Sequence, residues 1–148
     1  ILARYYWNIS PFFEIARPGF ENDISKQTAR IVIGDRSLSI QKNFKYIYDL
    51  ASEWKSFTGL PFVFARWVSN RETGSEFIKK FDAALAYGIE HLDDVILNLK
   101  EQHSYQSGTD KYLKNNLSYV LDDQKIKGME LFFDYASSIS LKGITELQ

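Results

Sequence analysis

Hydrophobic positions divide the chain into two halves with different periods. In the first half they come in short runs: Ala29 to Ile33 (Ala-Arg-Ile-Val-Ile) and Phe62 to Val68 (Phe-Val-Phe-Ala-Arg-Trp-Val). Nearly continuous β-branched or aromatic runs of this length fit strands buried in a parallel sheet. Phe12 to Ala16 and Tyr46 to Tyr48 read as two further short strands. Between them, Asp49 is placed to N-cap a helix from Leu50 to Phe57, with Leu50, Trp54 and Phe57 on one face. Thr58-Gly59 ends that helix, glycine being suited to a left-handed position just past a helix end. Pro61 blocks its resumption. The first half therefore predicts β-α-β-α-β, the signature of α/β layering.

From Ser75 onward the spacing becomes helical. Phe77, Ile78, Phe81, Ala84, Leu85, Gly88, Ile89, Leu92, Val95, Ile96 and Leu99 keep helical spacing throughout. A helix from Glu76 to about Lys100, with Ser75 as N-cap, would span roughly 37 Å. Gly88 or the pair Asp93-Asp94 could interrupt it. Thr109 caps a short helix through Tyr112, Leu113 and Leu117. Asp122 caps the last helix, which turns Ile126, Met129, Phe132, Phe133, Ala136 and Ile139 inward. Two polar stretches, Asn22 to Gln27 and Ser37 to Gln41, read as a loop or short helix and as a short helix. At the other end, Ile1, Leu2, Tyr5 and Tyr6 are helically spaced but no Ser, Thr, Asp or Asn precedes them. This pattern reads as a helix entered partway, the chain lacking the beginning of its fold. Pro11 ends it between Trp7 and Ser10.

Composition narrows the function classes. The 148 residues, 45% apolar and 25% charged, suffice for one ordinary core. A net charge of -1 without a lysine-rich run argues against a nucleic-acid footprint. The absence of cysteine excludes disulfides, thiolate metal sites and a cysteine nucleophile. No apolar run approaches the roughly 20 residues of a membrane span.

Few residues suggest chemistry. His91 and His103 have no metal-ligand spacing, and no P-loop, Gly-x-Gly-x-x-Gly or Gly-x-Ser-x-Gly is present. Asp93-Asp94 and Asp122-Asp123 fit solvated helix faces or caps. Gly34-Asp35 stands at the carboxyl end of a predicted strand, the edge where open α/β sheets bind ligands; Asp35 as a cap of the next helix is the alternative. Thr58-Gly59-Leu60-Pro61 allows a ligand close to backbone amides beside a hydroxyl. A plain helix C-cap followed by proline gives the same four residues.

Tyr48-Asp49-Leu50, Glu53-Trp54-Lys55 and Thr58-Gly59-Leu60-Pro61-Phe62-Val63-Phe64-Ala65 closely resemble the signature stretch of the chorismate dehydratases of the futalosine menaquinone pathway. Ile31-Val32-Ile33-Gly34-Asp35-Arg36-Ser37-Leu38 resembles a second stretch of that family. Lys111-Tyr112-Leu113, Asn116-Leu117-Ser118-Tyr119 and Gly128-Met129-Glu130-Leu131-Phe132-Phe133 resemble its closing helices. The Thr-Gly-Leu-Pro-Phe-Val block is fairly specific, and the others are individually weak.

The resemblance implies a periplasmic-binding-protein type II-like fold of two α/β lobes, incomplete here, with a helical C-terminal half. Residues 1-60 would be part of the second lobe. Residues 61-148 would be the return strand and C-terminal helices packing on the first lobe. It implies a cytoplasmic lyase converting chorismate to 3-[(1-carboxyvinyl)oxy]benzoate without metal or organic cofactor. Gly34, Asp35, Thr58, Gly59 and Leu60 would line the substrate cleft, with Arg36 a weaker candidate. The catalytic groups are expected upstream of Ile1. The sister enzyme 1,4-dihydroxy-6-naphthoate synthase places a His-Glu pair where this chain has Gly34-Asp35, and it follows Gly-Leu-Pro differently. A solute-binding protein for a small anion is the alternative from another class, because a fold does not fix a function.

Overall fold

The computed structural model describes residues 1–17, 19, 28–34, 37, 44–102 and 108–139. Among them the regular elements are α1 (Leu2–Tyr5), α2 (Leu50–Thr58), α3 (Ser75–Glu90), α4 (Leu92–Glu101), the short α5 (Thr109–Lys111) running into a π-helical turn (Tyr112–Asn116), and α6 (Asp123–Ser138). The described residues fall into two compact units: those of Ile1–Phe62 with Lys127–Gln148, and those of Val63–Ile126.

Local rules account for the helix ends. The Asp49 side chain accepts a hydrogen bond from the Ser52 amide at 2.8 Å, which satisfies an orphan donor of the first turn of α2. Gly59 closes the same helix at φ 75°, ψ -4°, its N–H donating to the Lys55 carbonyl at 2.8 Å. Asp122 caps α6 by accepting from the Lys125 amide at 2.9 Å. Ser75 is the first residue of α3 rather than its cap, which is Gly74.

The long helix predicted from Glu76 to Lys100 is broken at His91, three residues after Gly88. His91 has φ -105°, ψ 26°. Its N–H and its ring Nδ1 both bond to the Tyr87 carbonyl, at 3.1 and 2.8 Å. Its ring stacks on Tyr87 with centroids 3.8 Å apart. A side chain that bonds back to the fourth carbonyl competes with the helical ladder and bends it. The His91 carbonyl then accepts from Asp94 and Val95 and starts α4. The predicted short helix after Thr109 likewise widens into the π turn, closed by the Leu117 N–H on the Tyr112 carbonyl at 3.2 Å.

The predicted strands do not form. No strand is present among the described residues, although Ala29 to Ile33, Tyr46 to Tyr48 and Phe62 to Val68 all carry strand-like sequence. Ile33 is 84% exposed, Tyr46 68%, Trp67 74% and Phe12 88%. A buried strand needs a neighbour along its edge and cover on both faces. These segments have no described strand beside them, so β-branched and aromatic content alone does not place them in a sheet. The predicted helix from Ser37 to Gln41 is described only at Ser37, and Asn22 to Gln27 lies outside the described residues.

The first unit has an aromatic core. Trp54 of α2 is 2% exposed. It makes edge contacts with Phe62 at 5.9 Å, Phe132 at 5.9 Å and Tyr135 at 6.3 Å. Edge-to-face ring pairs add stability beyond area burial. Helix α1 joins this core through Tyr5 on Tyr135 at 4.8 Å and Tyr6 on Phe57 at 5.3 Å. The Tyr5 hydroxyl and Ser138 Oγ are 2.8 Å apart. Of the inward positions predicted for α6, Phe133 is instead 57% exposed, while Ile126, Met129, Phe132, Ala136 and Ile139 are half-buried.

Among the described residues of the second unit, Ile96 of α4 is the buried hydrophobic residue. Trp67 lies edge-on to Phe81 at 5.3 Å. An exposed Lys114–Asp93 ion pair ties the π turn to α4. The Tyr119 hydroxyl donates to the Leu113 carbonyl at 2.9 Å.

Candidate functional site

Three of the five expected substrate-binding residues form one continuous turn. Helix α2 delivers it, because its left-handed Gly59 cap reverses the chain and Pro61 holds it away from the helix. The Thr58 hydroxyl donates to the Trp54 carbonyl at 2.8 Å. The same oxygen accepts the Leu60 N–H at 3.1 Å. With Gly59 N–H on Lys55, the hydroxyl and both amides of this turn have internal partners. The turn presents an exposed glycine, and a Cβ placed there would meet nothing within 4 Å. An incoming anion would exchange with these bonds rather than find waiting donors.

The turn rests on α6. Phe62, which follows it, packs edge-on against Phe132 at 5.4 Å and against Trp54. Two stretches that carry the family resemblance, Thr58 to Phe62 and Gly128 to Phe133, are thus packed on each other within one unit. The Trp54 indole N–H is buried without a hydrogen-bond acceptor among these rings. In sequence Trp54 is a helix-face residue within the Glu53-Trp54-Lys55 block; its place as the keystone of this cluster depends on Phe132 and Tyr135, more than 75 positions away.

Gly34 stands in a separate turn at φ 77°, where a glycine is favoured. Its carbonyl accepts from the Ser37 N–H at 2.9 Å and the Ser37 hydroxyl at 2.8 Å. Asp35, Arg36 and His103 lie outside the described residues.

Other polar groups have structural duties. His91 is the hinge of α3 and α4, and Nδ1 is its donor to a carbonyl. Asp93 and Asp94 stand in the first turn of α4, where a carboxylate complements the helix dipole. Lys125, through its ammonium at 2.8 Å and its amide, holds the Asp122 carboxyl below its ordinary value. Burial, aided by the neighbouring Tyr112, pushes the Tyr119 hydroxyl above its ordinary value. No helix among the described residues is long and apolar enough to cross a membrane.

Comparison with known proteins places the chain. A family model described as menaquinone biosynthesis matches residues 1–138. The chorismate dehydratase of Campylobacter jejuni subsp. jejuni serotype O:23/36 (strain 81-176) is 40% identical over 62 residues. That stretch covers 39% of this chain and 27% of the relative. No solved structure matches. With the family model spanning nearly the whole sequence, the chain belongs to the menaquinone-biosynthesis family.

Proposed function

We propose that the protein carrying this chain dehydrates chorismate to 3-[(1-carboxyvinyl)oxy]benzoate in the cytoplasm, as a step of menaquinone biosynthesis by the futalosine route. The observation that carries this reading is the 62-residue match, at 40% identity, to a chorismate dehydratase. Membership of the menaquinone-biosynthesis family supports it. So do the residues that separate the dehydratase signature from the sister enzyme: Gly34-Asp35 in place of a His-Glu pair, and Phe62-Val63-Phe64-Ala65 after Gly59-Leu60-Pro61.

The reaction removes one ring proton and one hydroxyl, and the ring becomes aromatic. Aromatisation drives it forward, so the protein needs to orient the substrate and assist proton removal and departure of hydroxide. In this reading Gly34, Asp35, Thr58, Gly59 and Leu60 line one wall of the cleft. Gly59 lets a carboxylate approach the backbone, and the Thr58 hydroxyl and Leu60 N–H exchange their mutual bond for the ligand. Arg36 is placed to assist if it points inward, since a guanidinium pairs with carboxylate in two parallel bonds. The groups that move the proton belong to another part of the protein.

The fold proposed with it is the two-lobed, periplasmic-binding-protein-like arrangement. In this reading residues 1-60 belong to the second lobe and 61-148 return to the first, while residues 127–138 of α6 pack with those of 1–62 in one compact unit. Exposed strand-like segments such as Ala29 to Ile33 support it, since in such a fold they would gain sheet neighbours.

The test is the ring-diene absorbance of chorismate after addition of the full-length protein or of the 148 residues alone. Loss with the first and not with the second is expected. Turnover by the 148 residues would contradict the placement of the catalytic groups elsewhere.

A further inference from the structure

Helix α6 meets the Thr58–Pro61 turn at a point that has no room for a side chain. A Cβ built on Gly128 would lie 2.3 Å from the Pro61 carbonyl oxygen and 3.5 Å from the Leu60 Cβ. A backbone atom cannot swing aside as a side-chain tip does, so helix or turn would have to move. Every other described glycine has open space at the same place. Gly128 is also buried. Its need for glycine is therefore close approach, not backbone conformation.

The surroundings make this contact stiff. Pro61 has a fixed φ. Phe62 is clamped between Trp54 and Phe132. The turn is tied to α2 by the Thr58 hydroxyl on the Trp54 carbonyl and by the Leu60 N–H on Thr58. A shift at Pro61 has few ways to dissipate before it reaches Leu60 and Gly59.

We propose that Gly128 is a positioning residue: it seats α6 against Pro61 and so fixes where Gly59 and Leu60 stand toward the substrate. This rests on the reading of Thr58, Gly59 and Leu60 as the wall that faces chorismate. It extends that reading to a residue on a distant helix that touches no substrate.

Two measurements on the full-length protein test it, using Gly128→Ala and, in case that variant does not fold, Phe132→Leu. The first is hydrogen exchange at the Gly59 and Leu60 amides, which needs no substrate. Gly128→Ala is expected to speed both by about tenfold or more while the amides of α4 keep their rates. The second is steady-state kinetics with chorismate: KM rises about tenfold and kcat stays within about threefold. Phe132→Leu gives the same pattern at about threefold in KM. Unchanged exchange at Gly59 and Leu60, or faster exchange with unchanged KM, overturns the proposal. If the unsubstituted protein leaves chorismate untouched while exchange still responds to Gly128→Ala, the substrate assignment falls and the seating of the turn stands.

Discussion

The two units of this chain are built on different principles. The first gathers aromatic rings from α1, α2, the Phe62 segment and α6 around one fully buried tryptophan. The residues in contact are far apart in sequence, as Tyr5 with Tyr135 and Trp54 with Phe132 show. The second is a succession of helices held mostly over shorter separations: His91 on Tyr87, Lys125 on Asp122, Trp67 on Phe81 and, 21 positions apart, Lys114 on Asp93. Exposed ion pairs of this kind contribute little. The lesson is that part of the family resemblance, Glu53 to Phe62 with Gly128 to Phe133, also makes the long-range core of the first unit, while Lys111 to Tyr119 carries resemblance without such a core.

Core truncations probe this difference most strongly. Trp54→Ala removes the centre of the ring cluster and should destabilise by about 3–5 kcal/mol, read by denaturant unfolding. Ile96→Ala should cost about 2 kcal/mol, the low end for a buried aliphatic, if the site can collapse into the space, since no ring cluster is described around it. Equal costs would mean that the two units are alike. A smaller effect is expected from Gly59→Val in the full-length protein. A β-branched residue at φ 75° costs about 1–2 kcal/mol. Affinity for chorismate, followed by calorimetry, should fall by more than that. Parallel losses in stability and binding would return Gly59 to a plain helix cap.

The smallest effect concerns acid. Lys125 depresses the Asp122 carboxyl in the folded chain. Its support of α6 is therefore complete above the ordinary value of 3.8 and fades as pH falls below that, through the lower folded value. Asp122→Asn should lack this segment of the acid profile of thermal unfolding. A profile identical to that of the unsubstituted protein would remove Asp122 from the cap.

Three helix caps were legible, while Ser75 and Thr109, expected as caps, are the first residues of their helices. Asp49, Gly59 and Asp122 act within three or four residues of themselves, and short-range chemistry is what sequence pattern records. The position of the break was not legible, because Gly88 and Asp93-Asp94 are the residues whose types suggest one, whereas His91 breaks the helix through a ring contact with Tyr87 that pattern does not record. The strands were misjudged for another reason. Ala29 to Ile33 and Phe62 to Val68 have the composition of buried strands, but a strand is a relation between segments, and composition does not supply the neighbour. At the candidate site, the Thr58–Pro61 turn could be placed from Gly59 and Pro61 alone. Its closed internal bonding and its seat on Gly128 could not, since one depends on a hydroxyl rotamer and the other on a helix nearly 70 residues later.

The central claim is the reaction. Mass spectrometry of the products formed from chorismate by the full-length protein tests it most directly. A product lighter than chorismate by one water, with an aromatic ring and an intact carboxyvinyl ether, is the predicted result. Chorismate recovered unchanged, or a product that has kept its ring hydroxyl, would contradict it.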